Sequence, residues 1–232
     1  MTQLVRQVNT PSATISGSVP AWTVVSATLC PVALVGGWLV AGALQPTSYN
    51  PMQQTMSVLA GQPGTDPWIM TGALFVVGTT QFVTAAGLHA VGMPARGLLV
   101  ATGLCTFGVA LTPEPTAGPT PLHLAFAASC VFTTAIWPIF VGRRPSVPSW
   151  AVNYHVCAAV TGFFAVLSGW VVFASFGGGD LGLAERVTST ALGLFPLIVI
   201  LSLRRAPSSG PGATPRFRRQ GGELQDARSA SS

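Results

Sequence analysis

The chain has 232 residues, 49% of them hydrophobic and only 7% charged, with a formal net charge of +5. A soluble domain of this size carries about 25% charged residues to cover its surface. The composition therefore excludes an ordinary water-soluble fold and leaves much of the surface to face lipid. The 11 basic residues are all arginine. They flank apolar runs instead of sharing one folded face, which points to anionic lipid headgroups as their partner and away from nucleic acid.

In chain order, residues 1–21 are polar and rich in Ser and Thr, with Arg6 the only charge, and are predicted to be a disordered cytoplasmic N-terminus. Six apolar stretches follow, near 22–44, 67–90, 97–111, 121–142, 150–176 and 184–203. A helix needs roughly 20 such residues to cross about 30 Å of hydrocarbon. The prediction is an all-α polytopic membrane protein, with one six-helix transmembrane domain over 22–203. Ala41 and Ala43 resemble a cleavage site, but the first stretch is longer than the 7–15 residues of a signal-peptide core and reads as an uncleaved helix. The third is the shortest, and Arg96 lengthens it by snorkelling to the interface. Pro31, Pro138 and Pro196 lie inside spans, where each removes a helical hydrogen bond and kinks its helix. Residues 204–232 are rich in Arg, Ser, Gly and Pro and are predicted to be a disordered basic tail near the anionic inner leaflet.

Arginine placement gives the orientation, because basic residues beside spans are retained in the cytoplasm. With six spans, Arg6, Arg96, Arg143, Arg144, Arg204, Arg205, Arg216, Arg218, Arg219 and Arg228 fall on one side, and only Arg186 on the other. Both termini are therefore expected in the cytoplasm. Asp66, Glu114, Asp180 and Glu185 then share the external side. Tryptophans favour the headgroup level, and Trp22, Trp137 and Trp150 fall near one set of span ends, with Trp38, Trp68 and Trp170 near the other.

The first external connection, Gln45 to Asp66, holds a short amphipathic pattern. Asn50-Pro51 is a helix start, Gly61 and Pro63 a stop, and Met52, Met56, Leu59 and Ala60 recur at helical spacing. It reads as a short helix lying in the interface or capping the bundle.

The run Tyr49-Asn50-Pro51 through Ser57-Val58-Leu59-Ala60-Gly61 is followed by Trp68-Ile69-Met70 and a small-residue-rich second span ending Ala86-Gly87-Leu88. Later come Pro113-Glu114-Pro115 and then His123 at the head of the fourth span. In these motifs the chain resembles the bacterial six-helix membrane proteins of domain-of-unknown-function family 998, over roughly residues 31–203. Arginine-only usage suits high-GC actinobacteria, and the resemblance implies a bacterial plasma-membrane protein. It implies no activity and no catalytic residue, but it draws attention to Ser57, Glu114 and His123.

Ser57, Asp66, Glu114 and His123 form a candidate external polar site. One external histidine, without His-x-x-x-His or Glu-x-x-His spacing, gives no metal signature, and neither a metal nor a cofactor is expected. Thr80, Gln81 and Thr84 share a face of the second span and form a candidate intramembrane polar site, since an amide in lipid must find a partner inside the bundle. His89, His155, Asn153 and Tyr154 suggest a polar cluster at the cytoplasmic end. Cys30, Cys105, Cys130 and Cys157 read as inert packing residues near mid-depth. No acid or arginine lies at mid-membrane depth, which favours a non-enzymatic protein that binds lipid or a protein partner. A small-solute transporter or channel using Gln81 is the alternative. An outer-leaflet enzyme acting through Ser57, Glu114 and His123 is the second.

Overall fold

The computed structural model describes residues 19–143 and 149–206. The two polar termini, with Arg6, Arg216, Arg218, Arg219 and Arg228, and the short segment holding Arg144, lie outside the described residues. Among the described residues six helices are long and apolar enough to cross a membrane: α1 (Ala21–Ala43), α3 (Trp68–Gly87), α4 (Met93–Leu111), α5 (Pro121–Gly142), α6 (Tyr154–Phe173) and α7 (Leu181–Arg205). A five-residue helix, α2 (Met56–Ala60), sits in the first long connection. A single 3-10 turn at Trp150–Val152 precedes α6, and a wide turn at Ala174–Gly178 follows it.

The long helices close a ring: α1 packs on α3 and α7, α3 on α4, α4 on α5, α5 on α6, and α6 on α7. Apolar side chains turn outward from the ring, as a surface that meets lipid requires, among them Val25, Val32, Leu104, Phe132, Phe163 and Val166. Two apolar clusters fill the inside. One, built around Leu99, Trp137, Val141, Phe195 and Ile200, occupies the end where α1 begins. The other joins Cys30, Leu34, Met70 and Val77 to Met56, Leu59 and Ala60 of α2. That second end, closed by α2, is called here the capped end, and the first the open end.

Several sequence expectations change in detail. The third span begins at Met93 and reaches 19 residues, with Pro94 in its first turn, where a missing N–H costs nothing. Arg96 does not simply snorkel. Its Nε donates to the Ala85 carbonyl at 2.7 Å and one terminal nitrogen to Ala86, capping the carbonyls at the end of α3. Trp137 stands near the open end but faces inward, 1% exposed, with Nε1 donating to the Ala95 carbonyl at 2.9 Å. Cys157 lies in the first turn of α6, so it is near the open end and not at mid-depth.

The cap itself is shorter than its periodicity predicts. Residues 51–54 form turns, and Met52 points outward instead of joining Met56 on the apolar face. The carbonyls that a longer helix needs are already taken by α7. Met52 O accepts from Leu183 N, and Pro51 O and Gln54 O accept from Arg186.

Candidate functional site

His123 is placed by the start of α5. Thr120 is the N-cap, its hydroxyl accepting from His123 N at 3.2 Å, and Pro121 occupies the first helical position. The imidazole is 3% exposed. Its Nδ1 lies 2.7 Å from the Thr112 carbonyl, one of the acceptors left open where α4 ends. A carbonyl oxygen only accepts, so in the neutral ring Nδ1 carries the proton and Nε2 a lone pair. Ser57 Oγ lies 3.0 Å from Nε2 and donates to it. The half-buried Ser57 is the second residue of α2, whose Leu59 is completely buried.

Glu114 lies beside this pair in the connection from α4 to α5, 9% exposed. Burial pushes its carboxyl above the ordinary value of 4.5, and the neighbouring His123 pulls it part of the way back. Its backbone carbonyl accepts from Gln62 N at 2.8 Å. Gly61 makes that approach possible, since a Cβ there would stand 2.5 Å from the Glu114 carbonyl oxygen and 3.0 Å from its Cβ.

Asp66 is not in this group. It is exposed, takes a left-handed backbone (φ 51°) just before Pro67 and α3, and accepts from Trp68 Nε1 at 3.2 Å. Sequence reasoning missed two residues of α7 that are. Glu185 accepts from Met56 N at 2.5 Å. Arg186, 7% exposed, donates through Nη1 to Pro51 O, Gln54 O and Gly182 O, and through Nη2 to the Tyr49 hydroxyl. Its guanidinium carbon also lies 5.4 Å from the centroid of the Trp38 ring, a cation–π arrangement. Arg186 broke the arginine alternation, and that was the one available signal: a lone basic residue on the acidic side needs a buried role.

The chain matches the family described as a protein of unknown function, DUF998, over residues 28–214. It belongs to that family. No curated protein and no solved structure matches it. DUF998 membership agrees with the six-helix membrane architecture and gives no residue a role.

The intramembrane polar residues of this DUF998 chain line the seam between α1 and α3. Ser26 Oγ donates to the Thr80 carbonyl at 2.9 Å and lies 3.0 Å from Thr84 Oγ1. Gln81, 4% exposed, donates through Nε2 to Cys30 Sγ at 3.6 Å. A second seam, between α4 and α5, joins Thr102 to Thr133 and Thr134, and Thr106 to Cys130. Both hold helices together, as polar residues do in lipid. At the open end His89 and His155 are exposed. Asn153 caps α6 by accepting from His155 N at 2.9 Å, and the Tyr154 and His155 rings meet edge to face. Among the described residues no three His, Cys, Asp or Glu side chains converge as a metal site requires.

Proposed function

We propose that this DUF998 protein acts on membrane lipid at its capped end, with Ser57 as nucleophile and His123 as general base in the hydrolysis of an ester. The observation that carries the reading is the Thr112 carbonyl on Nδ1, which leaves Nε2 free to take the Ser57 proton. In the reaction Ser57 Oγ attacks the ester carbonyl carbon and its proton passes to Nε2. The carbon–oxygen bond to the leaving alcohol breaks, and that alcohol takes the proton. Water then attacks the acyl-serine with His123 again as base, which releases the carboxylic acid and restores the serine. Exposed Leu44, Met52, Trp68, Leu111 and Leu122 surround this end and favour a substrate that arrives from lipid.

The capped end faces outward in this reading. Among the described arginines, Arg96, Arg143, Arg204 and Arg205 are at the open end, and the exception, Arg186, is buried. This asymmetry supports a reading in which the open end lies in the cytoplasm, the membrane is a bacterial plasma membrane, and the basic tail is near anionic inner-leaflet lipid.

In lipid nanodiscs, the wild-type protein is expected to hydrolyse a fluorogenic glycerolipid ester. Ser57→Ala and His123→Ala should each lower the rate by about 10²–10⁴-fold without loss of folding. Turnover that survives Ser57→Ala would sink the proposal.

One observation favours a second reading, in which lipid is held without turnover. A groove of about 310 Å³ on the lipid-facing side of α1 and α3 is lined by Leu29, Phe75, Val76, Thr79 and Thr80, and it suits an acyl chain. Under that reading a lipid co-purifies intact and Ser57→Ala changes nothing. Transport gains no comparable support, because Gln81 is bonded across a helix seam.

A further inference from the structure

We infer that Glu185 and Arg186 are positioning residues that hold Ser57 against His123 from the opposite side of the cap. This rests on the proposed reactivity of Ser57. The two members of the pair come from different elements, His123 from α5 and Ser57 from α2. A helix of five residues is too short to hold its own conformation, because its nucleus costs more than its few hydrogen bonds return. Its position must come from outside: Met56, Leu59 and Ala60 pack into the apolar cluster of α1 and α3, and the first turns of α7 hold the backbone that leads into it.

Gly182, Glu185 and Arg186, spaced i, i+3 and i+4, share one face of α7. Gly182 lets the 51–54 backbone lie directly on the helix, since a Cβ there would stand 2.5 Å from Pro51 O. Leu183 N donates to Met52 O at 2.9 Å. Arg186 binds the carbonyls of Pro51, at 2.5 Å, and Gln54, at 2.8 Å, together with the Tyr49 hydroxyl. Glu185 finishes the series by accepting from Met56 N, the residue immediately before the nucleophile. The bonds to Pro51, Met52, Gln54 and Met56 fix the backbone that leads into Ser57, the bond to Tyr49 ties its hydroxyl to the same guanidinium, and none touches the Ser57 hydroxyl or the imidazole. A misplacement of about 1 Å at a reacting group costs on the order of a hundredfold in rate. The planar guanidinium fork is needed because the three N–H donors of a lysine all radiate from one nitrogen, whereas the two carbonyls and the phenol are met by two separate guanidinium nitrogens.

The test follows the rate at which a lipophilic fluorophosphonate labels Ser57 in the full chain in nanodiscs, as a function of pH, with thermal unfolding measured alongside. Glu185→Ala and Arg186→Lys should label tenfold to a hundredfold more slowly than wild type, with the midpoint of the pH profile unmoved, because His123 remains the base. Glu185→Gln keeps an acceptor for Met56 N and should restore most of the rate. Tyr49→Phe, which removes only a hydroxyl, should slow labelling severalfold and serves if a harsher variant does not fold. Variants that unfold at lower temperature but label at the wild-type rate would overturn the positioning role and leave the Ser57–His123 pair standing. Absence of Ser57 labelling in the wild type would overturn both.

Discussion

Burying Glu114 beside His123 makes the stability of the capped end depend on pH in a direction opposite to that of most acidic residues. Its carboxyl is held above 4.5, chiefly by burial, so the folded protein binds this proton more tightly than the unfolded chain does. The resulting stabilisation is fully present below the unfolded value and is lost as pH rises through the folded one. The unfolding temperature in detergent should therefore fall across that window, and Glu114→Gln should flatten the slope and raise stability at neutral pH. An unchanged slope in Glu114→Gln would assign the dependence to another group. Ser57, Glu114 and His123 were legible as candidates because each sits in a short distinctive motif. Glu185 and Arg186 were not, since the bond from Glu185 to Met56 spans 129 residues and leaves no local spacing to read. Asp66 shows the converse: sharing a side of the membrane does not bring a residue into the site when its backbone turns it toward Trp68.

The elements divide by where their stability originates. The long helices follow from apolar length alone, and their polar seams were partly visible, as with Thr80, Gln81 and Thr84. For α2, periodicity found the element but not its extent, because that is set by competition for backbone carbonyls between α2 and α7. Two glycines mark the places where the cap is pressed against its neighbours, Gly182 on α7 and Gly61 under the Glu114 carbonyl. At Gly61 the obstruction is backbone and cannot rotate away. Gly61→Ala is therefore expected to cost about 1–3 kcal/mol, the range for overpacking, and to loosen the connection between α1 and α3. Limited proteolysis of residues 45–67 would report it as faster cleavage. Equal protection of variant and wild type would show that the Glu114 connection yields at little cost.

At the scale of the molecule, the six spans could be read from sequence because lipid imposes one requirement, an apolar run of sufficient length with its backbone bonded internally. How the helices close into a ring could not, since contacts such as α1 with α7 depend on side-chain fit between distant segments. Orientation lies between these cases. The alternation of arginines fixes a direction only if each counted arginine is free to meet the membrane surface, and Arg186 is not. Excluding it as a buried clamp leaves Arg96, Arg143, Arg204 and Arg205 at the open end, a stronger asymmetry than the raw sequence showed. Exposed single cysteines at the two ends test the result. Gln53→Cys, beside the cap, should react with a membrane-impermeant maleimide on intact cells, while Arg143→Cys should react only after permeabilisation. The four native cysteines lie within helices, two buried and two half-buried, which keeps the background low. Labelling of Arg143→Cys from outside would invert the protein, place Ser57 and His123 at the cytoplasmic leaflet, and leave their pairing intact.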